Sequence, residues 1–128
     1  MRLKTHYTFS LGLLYLIDSL ILNNSFYLFI IAGITSVVVN NLIDSLGHEI
    51  RGTYISRTPR THTIPRSAGW GLLISIPIAI AFYFLSLNSY LPFSIILIMI
   101  TVIDGVIAGL SHMLLDVFTQ KGIYVKKN

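Results

Sequence analysis

The chain contains no cysteine, which excludes both a disulfide framework and a metal site built from thiolates. Charge is also scarce, because only 11% of the 128 residues are charged while 54% are hydrophobic. A soluble domain of this length cannot bury so much apolar surface, so the composition favours a membrane protein. Any metal ion that it binds must be held by imidazole and carboxylate groups.

Two long stretches, residues 19–43 and 67–103, have no charged side chain at all. A helix that crosses the hydrocarbon core needs about 20 apolar residues. The first stretch predicts a span from 26 to about 46, and the second predicts two spans that fold back at a turn-like segment, 88–92. A shorter segment, 7–22, completes the set, with a tight hairpin at 23–25. We therefore expect an all-α integral membrane bundle of four transmembrane helices, a single domain over 1–128 with a loop at about 47–67.

The basic residues all fall on one side of this four-helix arrangement. They are Arg2, Lys4, Arg51, Arg57, Arg60, Arg66, Lys121, Lys126 and Lys127. Positive charge marks the cytoplasmic side, so we expect a protein of the cytoplasmic membrane with both termini and the long loop in the cytoplasm. The net charge of +4 is then explained by topology and by attraction to anionic headgroups, and we expect no nucleic-acid partner.

Histidine and aspartate residues gather near the same side. His112 and Asp116 are four residues apart, so both project from one helix face, a spacing that suits two ligands of one metal ion. Asp44 and His48 repeat this spacing at the end of the second helix, although Gly47 is of the type that ends helices. An i,i+4 pair alone is also an ordinary feature of helix surfaces.

The two other histidines, His6 and His62, are predicted at the same level, one at the start of the first helix and one in the long loop. All four histidines and two of the five acids thus lie near one end of the bundle. Imidazole and carboxylate are ligands of zinc and similar divalent ions, and apolar helices seldom carry such groups without a function. This convergence favours a metal site.

Several segments resemble the YdjM-like family of predicted membrane-bound metal-dependent hydrolases. Residues 109–122 resemble its C-terminal signature, in which Ser-His is followed after three residues by Asp and then by a Thr-x-x-Gly turn. Thr61-His62-Thr63 resembles the family's Thr-His-Ser motif, and Thr5-His6 resembles its N-terminal Thr-His. Asp44 resembles the acid that ends the second apolar segment. The chain length and the arginine-rich loop look most like an uncharacterised archaeal branch.

The resemblance implies an activity and a set of ligands. The order of these residues is also similar to that of the ligands in zinc-dependent phospholipases C, which cleave phosphodiesters. It implies a divalent cation, with zinc expected, held by His6, Asp44, His62, His112 and Asp116.

The chain also departs from the family pattern. Arg57-Thr58-Pro59 stands where bacterial relatives have His-Arg-Gly, and Leu42 stands where they have a second acid. We therefore expect one ion rather than several. His48 has no firm counterpart, and its role as a substitute ligand stays open.

The expected function is a metal-dependent hydrolase that acts on a phosphodiester of a lipid headgroup at the cytoplasmic interface. The metal would supply hydroxide at neutral pH, and either Asp44 or Asp116 could act instead as the general base. Arg60 and Arg66 would offset negative charge that develops on a phosphoryl oxygen. A basic loop that only fixes the topology and rests on anionic lipid would explain the same arginines without catalysis.

Two other classes of protein stay open. One is a non-catalytic membrane protein in which a structural metal ion or a polar cluster joins the helices. The other is a small ion or proton carrier that uses Asp18 and Asp104, which lie within predicted helices one and four. Gly105 and Gly109 form a small-xxx-small pair that predicts a closely packed neighbouring helix. The sequence also leaves a homo-oligomer open.

Overall fold

The computed structural model describes residues 3–22, 26–88 and 94–119. The elements are α1 (Leu3–Ile21), α2 (Phe26–Gly47), β1 (His48–Arg51), β2 (Tyr54–Arg57), α3 (Ile64–Leu87) and α4 (Ser94–Val117). The four helices fall where the apolar segments predict them, and α1 begins earlier than expected, at Leu3. The predicted hairpin at 23–25, most of the turn at 88–92, and the basic residues Arg2, Lys121, Lys126 and Lys127 lie outside the described residues.

Three of the helices are long and apolar enough to cross a membrane. These are α2, α3 and residues Ile95–Val117 of α4. Helix α1 has 19 residues and contains both Lys4 and Asp18, and it does not belong to this group. The helical membrane protein expected from composition is thus supported by helix length and hydropathy, whereas a fourth span stays a prediction.

Burial in the bundle is the reverse of that in a water-soluble protein. Large apolar side chains such as Leu20, Phe84 and Ile95 are 80%, 58% and 71% exposed. Polar side chains such as Ser10 and Asn40 are fully buried. Helices in lipid can leave apolar groups outside at no cost, because lipid tails are as apolar as the side chains themselves.

Helices α3 and α4 pack closely because glycine lines their contact. A Cβ atom added to Gly105 would overlap the carbonyl oxygen of Gly71, and one added to Gly109 would overlap that of Ser67. The Ser67 hydroxyl donates a hydrogen bond of 2.7 Å to the Gly109 carbonyl oxygen. The close neighbour predicted from Gly105 and Gly109 is therefore confirmed, and it is α3.

Helix α1 runs antiparallel to α4. His6 lies 3.3 Å from Asp116, and Ser10, further along α1, hydrogen-bonds to the earlier Ser111 at 2.7 Å, so the contact moves backwards along α4 as α1 advances. His6 is consequently placed beside the last turns of α4. One end of the bundle then holds the start of α1, the end of α2 and the end of α4.

The segment between α2 and α3 differs from the all-α expectation. Its first half is an antiparallel β-hairpin in which His48 pairs with Arg57 and Arg51 pairs with Tyr54. The turn consists of Gly52 and Thr53, and Gly52 has φ of 63°, a conformation that glycine adopts without strain. The hairpin returns the chain to the end of α2, where the Thr58 amide donates a hydrogen bond of 2.7 Å to the Gly47 carbonyl oxygen.

Candidate metal centre

Six side chains that can bind metal converge at the end of the bundle that carries the hairpin. They are His6, Asp44, His48, His62, His112 and Asp116. The first turns of α1, the end of α2, the start of β1, the loop before α3 and the end of α4 each contribute. All five ligands expected from the sequence are therefore close together, and His48 joins them. Their role as metal ligands stays a prediction.

Four of these side chains form the middle of the cluster. The His112 Nε2 atom lies 3.1 Å from Asp44 Oδ1 and 3.6 Å from Asp116 Oδ2. The His62 Nε2 atom lies 3.5 Å from Asp44 Oδ1 and 3.7 Å from Asp116 Oδ2. Ligands of one tetrahedral zinc ion lie about 3.3–3.5 Å apart, since their bonds to zinc are about 2.0–2.1 Å long. The spacing therefore suits ligands around a cation.

The other two histidines lie on either side of this middle group. His6 Nε2 is 3.3 Å from Asp116 Oδ1, and its ring stacks on His112 with the centroids 3.9 Å apart. His48 Nε2 is 3.5 Å from Asp44 Oδ1, and its ring stacks on His62 at 4.8 Å. Each carboxylate is thus approached by a stacked pair of imidazoles.

A hydrogen bond from α2 determines which nitrogen of His112 is protonated. Its Nδ1 atom lies 2.8 Å from the Asn40 side-chain oxygen, which can only accept. The Asn40 amide nitrogen in turn donates to the Ser36 carbonyl oxygen and to the Ser10 hydroxyl, at 2.7 and 3.1 Å, which fixes the orientation of the amide. The proton of neutral His112 is therefore on Nδ1, and the Nε2 lone pair faces the two carboxylates.

His62 is held in the same tautomer by the residue before it. The Thr61 hydroxyl donates to the Ile43 carbonyl oxygen at 2.8 Å, so it accepts from His62 Nδ1 at 2.9 Å. The Nε2 lone pair of His62 consequently also faces the carboxylates. Outer hydrogen bonds of this kind commonly orient histidines that bind metals.

The atoms at the middle of the cluster are therefore hydrogen-bond acceptors, and no donor from the described residues lies between them. His62 Nε2, His112 Nε2 and Asp116 Oδ2 are buried and have no hydrogen-bond partner among the described residues. Both histidines are 0% exposed and Asp116 is 1% exposed. Lone pairs and carboxylate oxygens this close repel one another unless a cation lies between them, so the arrangement fits a divalent ion.

Gly47 allows the loop to reach this position. A Cβ atom at Gly47 would overlap both the Thr61 hydroxyl and the His62 ring. The absence of a side chain at the end of α2 therefore lets the loop before α3 lie directly against the helix. Helix α2 ends at Gly47 and β1 begins at His48, so Asp44 belongs to the helix and His48 to the strand.

Arg57 is the arginine that contacts a carboxylate of the cluster. Its Nη2 atom lies 2.9 Å from Asp116 Oδ1, and Nη1 donates to the Thr119 hydroxyl at 3.0 Å. The guanidinium group is 14% exposed, so it lies between the buried cluster and solvent. Phosphate binding was predicted for Arg60 and Arg66 and not for Arg57.

Arg60 and Arg66 lie in a groove of about 830 Å³ beside Trp70. The Arg66 guanidinium donates to the Pro59 carbonyl oxygen at 2.7 Å, and the Trp70 indole donates to the Arg60 carbonyl oxygen at 3.0 Å. Within the described residues, neither guanidinium pairs with a carboxylate of the cluster. These contacts fix the loop, and they place the two positive charges beside the apolar surface of α3.

The cluster is more open on one side than on the other. Asp44 is 18% and His48 is 31% exposed, whereas His6, His62, His112 and Asp116 are all buried. Partial burial lowers the pKa of His48, although the nearby Asp44 carboxylate opposes the change. His48 is therefore neutral at physiological pH, which is the form that binds metals.

Asp18 and Asp104 are two buried acids deeper in the bundle that lie near each other. Neither oxygen of Asp104 has a hydrogen-bond partner among the described residues. The two aspartates lie about 18 Å from the cluster along α1, at about 1.5 Å per residue. Leu14 and Ala108, both 0% exposed, lie between the two levels on α1 and α4.

The fold and the cluster together define a class: a helical membrane protein with a buried histidine–aspartate centre at one end. The chain belongs to the family DUF1286, described as a protein of unknown function, whose model matches residues 1–115. The match covers every residue of the cluster except Asp116, which follows directly. No curated protein and no solved structure matches the chain.

Proposed function

We propose that the protein is a membrane-embedded, metal-dependent hydrolase that acts on a phosphodiester of a lipid headgroup. The buried set of acceptor atoms carries this proposal, because His62 and His112 turn unprotonated nitrogens towards Asp44 and Asp116. A divalent cation, with zinc expected, would satisfy these atoms. The likeness to YdjM-like hydrolases points to the same chemistry.

A bound divalent cation would lower the pKa of a coordinated water molecule and so supply hydroxide at neutral pH. The protein's own groups have separate tasks. Asp116 is buried and fixed by Arg57, which suits a ligand, and the more exposed Asp44 would hold metal at the side of the cluster that is open to water. Arg57 also brings a positive charge to the solvent side of the cluster, where it would stabilise a phosphoryl oxygen.

The position of the cluster supports a headgroup as substrate. We propose that α1 is a fourth span, and that the cluster lies at the cytoplasmic interface with both termini on that side. The groove with Arg60 and Arg66 would then face the headgroups, where the guanidinium groups attract the phosphate of the lipid. A reporter fused after Asn128 should be found in the cytoplasm, and an external reporter would contradict this topology.

The test uses the full chain purified in detergent and returned to phospholipid vesicles with and without zinc. The protein should release a water-soluble phosphate ester only when metal is present. His112→Ala and Asp116→Ala should abolish metal binding and hydrolysis together, because each removes a ligand. Arg66→Ala should leave the metal in place and slow turnover, since the Arg66 guanidinium contacts no carboxylate of the cluster within the described residues and would attract the substrate phosphate.

Glu49→Gln is the matched control, because this hairpin acid pairs with Arg51 rather than with the cluster. It should leave both metal binding and hydrolysis unchanged. Metal-free protein that cleaves phosphodiesters as fast as the metal-loaded protein would contradict the proposal.

A structural metal ion is the second candidate, and one observation favours it. The cluster joins the start of α1, the end of α2, the hairpin segment and the end of α4, so an ion here would tie the bundle together. In that case His112→Ala should lower the melting temperature, and Arg66→Ala should change nothing. The absence of hydrolysis in the metal-loaded chain would favour this function.

A further inference from the structure

We propose that the centre holds two divalent cations rather than one. This inference rests on the metal-dependent function proposed above, and it adds the number of ions and a role for His48. One ion would lie within the group His6, His112 and Asp116. The other would lie within the group Asp44, His48 and His62.

The two groups repeat the same local arrangement. In each group the potential ligand atoms all lie within 4.8 Å of one another. Each consists of two stacked imidazoles and one carboxylate, and each takes its carboxylate from the C-terminal end of a long apolar helix. The His62 and His112 rings meet edge to face with centroids 5.5 Å apart, so the groups lie side by side. Paired catalytic ions typically lie about 3.5–4 Å apart, a separation that fits such neighbours.

The carboxylates connect the groups. Asp116 directs Oδ1 towards His6 and Oδ2 towards His62, which belongs to the other group. Asp44 Oδ1 lies close to His48 in its own group and to His112 across the centre. A carboxylate that faces ligands of both groups lies between the two sites, where its negative charge would offset the mutual repulsion of two cations.

The number of ligands also favours two ions. A single tetrahedral ion at the middle of the cluster would use four ligands, and its shell would be closed. It would leave His6 and His48 outside the shell. Two ions with three protein ligands each would use all six side chains and would keep an open position for water, which is the pattern of catalytic zinc.

The additional ligand comes from the segment that follows α2. His48, at the start of β1, lies with its Nε2 atom 3.5 Å from Asp44 Oδ1, because the chain turns back towards the cluster after Gly47.

The number of ions can be measured without any assay of activity. The full chain in detergent is stripped with a chelator and dialysed against Mn²⁺, and the bound metal per chain is determined. We expect two ions, with an electron paramagnetic resonance spectrum that shows spin coupling between them. His48→Ala should bind one ion and lose the coupling, whereas Glu49→Gln should keep both ions.

One ion per chain in the unmodified protein would overturn the inference, as would a His48→Ala variant that still binds two coupled ions. The coupled spectrum requires no variant, so the test does not depend on the folding of His48→Ala. Two ions without hydrolysis would uphold this inference and refute the proposed function. One ion with full hydrolysis would refute this inference and uphold the proposed function. A chain that binds no ion would overturn both.

Discussion

Replacing Asn40 with alanine tests whether His112 is a metal ligand. The Asn40 side-chain oxygen accepts the His112 Nδ1 proton at 2.8 Å, and both residues are 0% exposed. Without this acceptor the ring can rotate and can move its proton to Nε2, which removes the lone pair that faces Asp44. Loss of such a supporting hydrogen bond typically lowers metal affinity by about 10- to 100-fold.

That loss corresponds to about 1.4–2.8 kcal/mol, since each 1.4 kcal/mol changes a dissociation constant tenfold. It agrees with the cost of leaving one buried donor without a partner, which is about 1–3 kcal/mol. We therefore expect Asn40→Ala to weaken metal binding by between one and two orders of magnitude. Asn40→Asp should bind more tightly than Asn40→Ala, because a carboxylate still accepts the Nδ1 proton.

The assay is a metal titration of the chelator-stripped protein in detergent, paired with thermal unfolding of the metal-free form. Ser45→Ala is the control, because Ser45 is exposed near the same end of α2 and its hydroxyl donates to the Asn41 carbonyl oxygen within its own helix. Unchanged metal affinity together with a lower melting temperature of the metal-free protein would refute the reasoning. Asn40 would then only stabilise the packing of α1, α2 and α4.

Two further predictions concern glycines at close contacts. Gly47→Ala should weaken metal binding while lowering the stability of the metal-free protein only slightly, because the new methyl group would displace His62. Equal metal affinity of the variant and the unmodified protein in titrations would contradict this. Gly105→Ala should destabilise the bundle by about 1–3 kcal/mol through overpacking against Gly71, measured by unfolding in detergent, and an unchanged midpoint would show that the two helices separate freely.

The sequence predicted the helices well because lipid imposes a simple rule on them. A span needs a long run without charge, and residues 19–43 and 67–103 meet that condition over their whole length. Gly105 and Gly109 also indicated the close packing of α4, since only small residues permit it. The five expected ligands came together because an antiparallel arrangement brings alternate helix ends to one level.

The hairpin was not predicted, because the arginines of this loop explain its charge but do not indicate a strand. Its signal was present: Gly52 and Thr53 make a two-residue turn of the kind that joins strands, with glycine at the first position. The register of the hairpin could not be read from hydropathy, and it decides that Arg57 lies beside Asp116. Arg60 and Arg66 follow the hairpin and lie in the groove instead.

The supporting residues Asn40 and Thr61 were also missed as functional groups. Asn40 is four residues before Asp44 and therefore lies on the same face of α2, which is a signal that the sequence offers. Thr61 belongs to the Thr61-His62-Thr63 motif, but the motif does not reveal its role, because its hydroxyl reaches the Ile43 carbonyl oxygen only after the loop has folded back. Contacts between elements distant in sequence depend on tertiary packing, and local patterns do not contain them.

The order of the cluster residues along the chain sets the order in which the centre can be built during synthesis. Asp44, His48 and His62 are separated only by the hairpin, so they can meet once α2 and the loop have emerged. The other group joins His6, in the first turns of α1, to the last turns of α4. It cannot form until α4 has been synthesised, so a chain interrupted before α4 would present only the ligands of the first group to the cell's metal ions.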